Sequence, residues 1–193
     1  MKDIIINDIS KTYGDTVVFD HFSYTLRPGG IYTLSSGSGT GKTTLLRMLM
    51  GLEAPDTGSI AGIPDRIGAV FQENRLIDGL SVLKNISLVC PDSVPASDIR
   101  RDLARTGLEG CASASVNELS GGMQRRVALV RACLYPSELL LLDEPFTGLD
   151  SELVAVCTDY LLEKTAGRTC IVAGHIRSPR LNAVSSEISI PHK

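Results

Sequence analysis

A glycine-rich segment between an apolar run and a helical pattern is the feature that most constrains this chain. Residues 35–46 read SSGSGTGKTTLL and follow the β-prone run Ile31–Leu34. After them, leucines and methionines recur at helical spacing until Gly51, a residue that can end a helix. A glycine turn between a strand and a helix points backbone N–H groups and the positive end of the helix dipole at one place, where a phosphate group fits. The sequence therefore predicts a phosphate-binding loop.

The P-loop pattern gives roles to the residues of this segment. Lys42 would reach the β- and γ-phosphates of a nucleotide, and Thr43 would ligate Mg²⁺ through its hydroxyl. Ser36 stands where the pattern has its first glycine, and if that position requires φ > 0, the serine costs about 1 kcal/mol. We expect nucleotide binding with a shifted affinity, because the other end of the loop matches; the alternative is an ordinary Gly/Ser loop. The predicted cradle comprises Ser36, Gly37, Ser38, Gly39, Thr40, Gly41, Lys42, Thr43 and Thr44.

An apolar strand that ends in two carboxylates is the second motif. Residues 138–145 read ELLLLDEP, and such a run is apolar on both faces, as a central parallel strand should be. Asp143 would hold Mg²⁺, and Glu144 would orient and deprotonate the attacking water. The alternative is a solvated turn after a core strand. The glycine-rich loop earlier in the chain favours the catalytic interpretation.

A third motif lies between these two and carries a family resemblance. Residues 119–124, here called the signature segment, read LSGGMQ and resemble the LSGGQ signature of the ATP-binding cassette (ABC) family. The resemblance covers nearly the whole chain. Ser120, Gly121 and Gly122 would form a second anion site at the start of a helix. Read alone, the segment could be a flexible turn, but its position before the acidic strand follows the family spacing.

Three single residues match the family in the same order. Tyr13 corresponds to an aromatic residue that stacks on adenine, or else it is an ordinary strand tyrosine. Gln72 corresponds to a glutamine that contacts Mg²⁺ and the attacking water, and His175 to a histidine that touches the γ-phosphate. Gly174 and Ile176, which flank His175, depart from the hydroxyl residue and the acid that are more frequent there. The resemblance implies Glu144, His175, Gln72 and Lys42 as catalytic residues and Thr43, Gln72 and Asp143 as metal ligands.

The alternation of strand and helix patterns predicts an α/β fold. With the resemblance, we expect a P-loop NTPase core with a mostly parallel sheet, an N-terminal antiparallel β subdomain and an inserted helical subdomain. The chain of 193 residues is interpreted as a single domain, 1–193. Residues 1–75 and 136–193 would form the nucleotide-binding core. Residues 76–135 would form the helical insertion that carries the signature segment.

Composition limits the possible partners. The net charge of -3 gives no argument for nucleic acid. The N-terminus does not look like a signal peptide, and no apolar run reaches the roughly 18–20 residues that span a bilayer, so we expect no direct membrane insertion. The five cysteines show no C-x-x-C pair and are interpreted as reduced thiols, those at 133, 157 and 170 lying in the core.

The resemblance implies an ATP- and Mg²⁺-dependent hydrolase that works in a transporter. Two ATPase subunits, as a homodimer or a heterodimer, would close head to tail so that each signature segment covers the partner's ATP. Transport would run through separate membrane-spanning permease subunits, which would hold the chain at the cytoplasmic face of the membrane. Within the family, the sequence most resembles importer subunits. Part of the groove for a permease helix is predicted from Leu76, Ile77, Leu80 and Val82, which could instead pack the helical subdomain.

Two other functions stay open on the sequence alone. The first is a soluble ABC-type ATPase regulator, although such relatives usually carry two cassettes or long coiled-coil insertions. The second is a degenerate nucleotide-binding subunit that pairs with an active partner. Ser36 is the only support for the second, and the presence of Glu144, Ser120 and His175 argues against it.

Overall fold

Two separate β-sheets organise the chain, which the computed structural model describes over residues 2–35, 39–176 and 178–190. Over these residues the strands are, in chain order, β1 (Ile4–Tyr13), β2 (Thr16–Leu26), β3 (Ile31–Leu34), β4 (Thr57–Ala61), β5 (Ile67–Val70), β6 (Leu139–Asp143), β7 (Thr169–Ala173) and β8 (Ser186–Glu187). The α-helices are α1 (Lys42–Leu49), α2 (Val82–Ser87), α3 (Ala96–Arg105), α4 (Gly121–Leu134), α5 (Ser151–Lys164) and α6 (Pro179–Val184). None of the helices in these segments is long and apolar enough to cross a bilayer.

The larger sheet has the strand order β5-β6-β7-β3-β8, and all of its strand pairs are parallel. Helices that connect parallel strands cover both faces of the sheet, so a central strand is apolar on both sides. Strand β6 follows this rule, because Leu139 and Leu141 belong to one hydrophobic cluster and Leu140 and Leu142 to another. The predicted α/β fold with a parallel sheet is confirmed. The carboxyl ends of the strands share one edge of the sheet, where ligands bind in folds of this class.

The smaller sheet is antiparallel and has the order β2-β1-β4. Strands β1 and β2 form a hairpin whose last pair is Tyr13 with Thr16, across a tight turn in which Gly14 has φ 55°. The inner face of this sheet shares a hydrophobic cluster with Leu45 and Leu49 of α1. The predicted N-terminal antiparallel subdomain is therefore confirmed, and its packing places Tyr13 near the start of α1. Strand β4 has no apolar alternation, and the sequence did not predict it.

The predicted helical insertion contains α2 and α3, two short 3-10 helices (Cys111–Ser113 and Val116–Glu118) and α4. Helix α3 is tied to α5 through Asp102, whose side chain is fully buried. The Lys164 ammonium lies 2.6 Å from the Asp102 carboxylate, and the Tyr160 hydroxyl donates to it at 3.2 Å. This buried pair attaches the helical part to the core, whose boundaries at residues 75 and 136 stay predictions.

All five cysteines are free thiols, as expected. Three of them, Cys133, Cys157 and Cys170, are buried among apolar side chains. Burial raises the pKa of Cys133 to about 12 and that of Cys157 to about 11. At neutral pH these groups are therefore protonated, and they pack as small apolar side chains.

The central position of β6 gives a first prediction, about stability. Leu141→Ala should lower the free energy of unfolding by about 2–5 kcal/mol, because a fully buried leucine leaves a cavity between sheet and helices. Leu88→Ala is the matched control: this leucine is 51% exposed, and its loss should cost under about 0.5 kcal/mol. Urea unfolding followed by circular dichroism measures both. Equal midpoints for the two variants would contradict the central position of β6.

Candidate functional site

The structure describes the predicted phosphate loop from Gly39 onward, and the two glycines in this part have left-handed backbone conformations. Gly39 and Gly41 have φ values of 80° and 89°, in the left-handed region, and Gly41 is the residue at which α1 begins. A Cβ atom on Gly41 would lie 2.5 Å from Cγ1 of Val18, so no larger residue fits there. The loop therefore leads directly into the N-terminus of α1. Ser36, Gly37 and Ser38 lie outside the described residues, and the predicted cost of Ser36 stays a prediction.

The loop meets the acidic strand in a single hydrogen bond. The Thr43 hydroxyl, in the first turn of α1, donates to Oδ2 of Asp143 at the end of β6, with 2.8 Å between the oxygens. Burial raises the pKa of Asp143, and Glu144 next to it acts in the same direction, while the bond from Thr43 lowers it. A buried carboxylate beside a hydroxyl is a pair of oxygen ligands of the kind that Mg²⁺ takes in proteins. The structure thus brings together two of the three predicted metal ligands.

Glu144 has an unusual backbone conformation. Its φ of 52° lies in the left-handed region, which costs a non-glycine residue about 1–3 kcal/mol. Its N–H donates to the Ala173 carbonyl at 2.9 Å, and the Thr147 hydroxyl donates to its Oε2 at 3.0 Å. A Cβ atom on Gly174 would lie 2.6 Å from the same Oε2. The carboxylate of Glu144 therefore occupies space that any side chain at position 174 would need.

His175 lies in the same cavity as Glu144. This cavity of about 240 Å³ lies at the ends of β6 and β7, and its lining includes Gly174 and the segment after Glu144. The His175 side chain is exposed. The strand order explains the position of His175. Because β7 lies between β6 and β3, the loop after β7 falls between the acidic end of β6 and the phosphate loop after β3.

A second cavity, of about 280 Å³, lies beside the phosphate loop. It is lined by Tyr13, Val18, Gly39, Thr40, Gly41, Lys42, Thr43 and Thr44. Tyr13 is 47% exposed, so part of its ring is available to a flat ligand. Two strand-borne side chains and the whole described part of the loop thus form one concave site.

The signature segment starts α4. Ser120 caps this helix, since its hydroxyl accepts a hydrogen bond from the Met123 N–H at 3.3 Å. A Cβ atom on Gly122 would lie 3.1 Å from the Gly148 carbonyl, which places the segment against the loop after β6. Ser120 and Gly121 are exposed. Among the described lining residues of the two cavities, Ser120, Gly121 and Gly122 are absent.

The backbone around Gln72 is held by arginines of α4 that the sequence analysis did not single out. Arg125, only 7% exposed, donates to the Phe71 carbonyl at 2.5 Å and to the Gln72 carbonyl. Arg131 donates to the carbonyls of Asn74 and Arg75 at 3.0 and 2.8 Å. In the sequence, this role could have been recognised only from an arginine that stands within the apolar periodicity of a helix. The Gln72 side chain is exposed and lines neither cavity as far as the structure describes them.

The residues predicted for a permease groove differ in burial. Val82 is fully buried in the hydrophobic cluster between the helical part and the central sheet, and Leu76 packs against that cluster partly buried, whereas Ile77 is 51% exposed. The prediction for Val82 is therefore wrong, because it faces inward at the first turn of α2. A cavity of about 520 Å³, here called the groove cavity, lies between the end of α1, strand β5 and α4. It is lined by Met50, Leu52, Ile67, Gly68, Ala69, Phe71, Val89, Arg131, Ala132 and Tyr135.

Comparison with known proteins identifies the family. A family model described as "ABC transporter" matches residues 19–147. The aliphatic sulfonates import ATP-binding protein SsuB 3 of Paraburkholderia xenovorans (strain LB400) is 40% identical over 148 residues, which cover 77% of this chain and 60% of the relative. The sulfate/thiosulfate import ATP-binding protein CysA of Mycobacterium tuberculosis (strain ATCC 25618 / H37Rv) is 34% identical over 207 residues, 98% of this chain and 59% of the relative.

A third relative covers more of its own length. The intermembrane phospholipid transport system ATP-binding protein MlaF of Escherichia coli (strain K12) is 35% identical over 193 residues, 88% of this chain and 72% of the relative. The chain spans about 60% of the length of the first relatives. The parallel sheet, the loop at α1, the acidic end of β6 and the family match agree, and the chain belongs to the ABC transporter family.

Proposed function

We propose that this chain is the ATP-binding and ATP-hydrolysing subunit of an ABC importer, which powers solute transport through separate membrane subunits. The hydrogen bond between Thr43 and Asp143 carries the proposal. It joins a helix N-terminus, suited to phosphate, to a buried carboxylate, with the carboxylate of Glu144 one residue further along the chain. This arrangement suits a nucleotide triphosphate whose terminal phosphates lie over the N-terminus of α1.

The residues at this junction fit Mg²⁺. Burial raises the pKa of Asp143, which means that the carboxylate is under-solvated and would be stabilised by a nearby cation. Asp143 and Thr43 would hold the ion, and Gln72 is the third proposed ligand. Bound there, Mg²⁺ would neutralise charge that develops on the phosphate oxygens. Lys42, which lines the same cavity as Thr43, would reach the β- and γ-phosphates.

Glu144 is the proposed general base. Its carboxylate is oriented by the Thr147 hydroxyl and occupies the space where a Cβ of residue 174 would lie, and a positioned base takes the proton of the attacking water. His175, which lines the same cavity, would donate to an oxygen of the γ-phosphate. Tyr13 would stack on adenine at the other end of the site.

A second copy of an ABC subunit would complete the site. Ser120 and Gly121 are exposed at the N-terminus of α4 and stay outside the lining of the two described cavities. An N-terminus of this kind can take up the charge of a phosphate. In a head-to-tail homodimer or heterodimer, each signature segment would cover the ATP of the other subunit. Gly122 would couple this closure to the loop after β6, because the two already touch.

The membrane partner would dock in the groove cavity beside α1 and α4. Its rim carries Leu52 and Val89, which are 52% and 36% exposed, and Leu88 and Ile77 are exposed nearby in the chain. The chain would thereby lie at the cytoplasmic face of the membrane. The relatives are named for sulfonates, sulfate or thiosulfate, and phospholipid. Such different cargoes on similar ATPases support the proposal that the membrane subunits choose the solute.

The proposed base gives the main test of this function. Glu144→Gln should still bind ATP, but its hydrolysis rate should fall by about 10²–10⁴, because the amide cannot accept the proton of water. With ATP and Mg²⁺ the variant should accumulate as a dimer in size-exclusion chromatography with light scattering. Glu163→Gln is the matched control, since this carboxylate is 61% exposed and paired with Arg105 on the surface. Normal hydrolysis by Glu144→Gln would rule out the proposed base.

The contact between Gly174 and Glu144 gives a separate prediction. Gly174→Ala should push the Glu144 carboxylate away and reduce kcat by about 10²-fold, the order expected for a misplacement of roughly 1 Å, while ATP affinity changes little. The matched control is Gly167→Ala. Gly167 also has a positive φ (78°), but a Cβ there meets nothing within 4 Å. If both variants lose activity equally, backbone strain and not displacement of Glu144 is the cause.

The membrane partner is tested by purification from native membranes. Leu52→Glu places a charge in the groove cavity and should abolish co-purification of a multi-span membrane protein, because an unpaired charge resists burial. Val184→Glu is the control on another surface, at a residue that is 56% exposed. Mass spectrometry of the proteins that co-purify with the tagged chain distinguishes the two variants. Retention of the membrane protein by Leu52→Glu would place its docking site elsewhere.

A further inference from the structure

Glu53, which follows α1, contacts the candidate site through Tyr13. Its carboxylate accepts a hydrogen bond from the Tyr13 hydroxyl across 40 residues of sequence. The other oxygen of Glu53 accepts from Nε of Arg47 at 3.2 Å, and the Lys11 ammonium lies 3.5 Å from the first. The Glu53 side chain is only 15% exposed. A partly buried carboxylate with three partners is more constrained than an ordinary surface glutamate.

The partners of Glu53 hold the end of β1 from several directions. Lys11 donates to the Ala54 carbonyl at 3.0 Å and to Asp56 at 2.9 Å, and the Thr12 N–H donates to Asp56 at 2.8 Å. The Lys11 ammonium also lies over the Tyr13 ring, 5.4 Å from its centroid. One face of the ring is therefore taken by a cation. A planar ligand in the cavity beside the phosphate loop would use the other face.

The charges around Glu53 keep its carboxylate in the ionised form, which accepts the hydrogen bond from Tyr13. The hydrogen bond from Tyr13 lowers the pKa of Glu53, and Arg47 and Lys11 lower it further, although desolvation opposes them. The carboxylate therefore stays ionised at neutral pH. A hydrogen bond to an ionised acceptor is shorter and stronger than one between neutral groups, so the phenol is held more firmly than water would hold it.

We propose that Glu53 is a positioning residue for the nucleotide base, which acts by fixing the Tyr13 ring in the orientation that receives adenine. A tyrosine with a free hydroxyl would lose rotamer freedom on stacking, whereas a ring fixed beforehand loses little. Arg47 belongs to α1, whose first residues bind phosphate in the proposed function. The eight-residue helix, about 12 Å long, thus connects the phosphate end of the site to the base end. The proposal rests on the proposed binding of ATP at this site.

The test separates the base from the phosphates. Dissociation constants of the full chain are measured by calorimetry, with Mg²⁺, for an ATP analogue with a non-hydrolysable β–γ bridge and for inorganic tripolyphosphate. Glu53→Ala should weaken the analogue roughly three- to tenfold, the effect of one lost hydrogen bond, and leave tripolyphosphate within about twofold. Glu53→Gln, whose amide oxygen can still accept from Tyr13, should recover most of the loss. In ATPase assays Glu53→Ala should raise KM and leave kcat unchanged.

Variants at the other end of the hydrogen bond and a surface control complete the design. Tyr13→Phe should match Glu53→Ala, and the double variant should be no weaker than either one. Glu163→Ala, which removes an ion-paired carboxylate elsewhere, should change neither constant. Equal loss of the analogue and of tripolyphosphate, or no loss at all, would overturn the positioning role. If Glu53→Ala fails to fold, Tyr13→Phe and Glu53→Gln decide, because a merely structural carboxylate would leave Tyr13→Phe without effect.

A further variant shows which proposal has failed. Tyr13→Ala removes the ring itself and should weaken the analogue, but not tripolyphosphate, more than Tyr13→Phe does. If it changes neither, adenine does not stack at Tyr13, and the proposed placement of the nucleotide is wrong. If Tyr13→Ala has its effect and Glu53→Ala has none, only the role of Glu53 is refuted.

Discussion

The site depends on the hydrogen bond between the Thr43 hydroxyl and the Asp143 carboxylate. It joins the first turn of α1, which follows a glycine turn, to the end of β6, which is fully buried in the sheet. Strand β7 lies between β6 and β3, the strand that precedes α1. The Gly174 N–H, just after β7, donates to the Leu34 carbonyl at the end of β3 at 3.1 Å. The loops after three parallel strands therefore meet at one edge, which is where such sheets bind ligands. The site is a consequence of strand order as much as of residue type.

Several costs of folding are concentrated at this edge. Asp143 is a buried carboxylate with a raised pKa, Glu144 has a positive φ, and Gly174 lies too close to Glu144 to carry a side chain. Each feature persists because the fully apolar strands β6 and β7 fix the backbone on either side. Residues with uncommon φ values collect at functional sites when the surrounding structure determines them. Here that strain orients a carboxylate beside His175, as the proposed hydrolysis of ATP requires.

Local patterns carried most of what the sequence could predict. The parallel sheet follows from the alternation of strand and helix patterns. The antiparallel subdomain was implied by the family resemblance, and the meeting of Thr43 with Asp143 by the two motifs that assign both residues to Mg²⁺. Contacts between distant segments left no such pattern. Glu53 reads as an ordinary loop acid, and the carbonyl contacts of Arg125 span more than fifty residues. Val82 was wrongly expected in a groove because short apolar runs do not reveal which residue faces inward. The roles of Gln72, His175 and the signature segment stay predictions.

Helix α4 connects the parts of the molecule that the proposed cycle would have to coordinate. Its N-terminus is the signature segment, Arg125 holds the backbone at Gln72, and Arg131 near its other end lines the groove cavity. Its fourteen residues make a rod of about 21 Å. In the proposed cycle, a permease helix that displaced α4 would move Ser120 together with Arg125, which holds the Gln72 backbone. Arg125 and Arg131 contact this loop only through main-chain carbonyls, so these hydrogen bonds do not depend on which side chains follow β5.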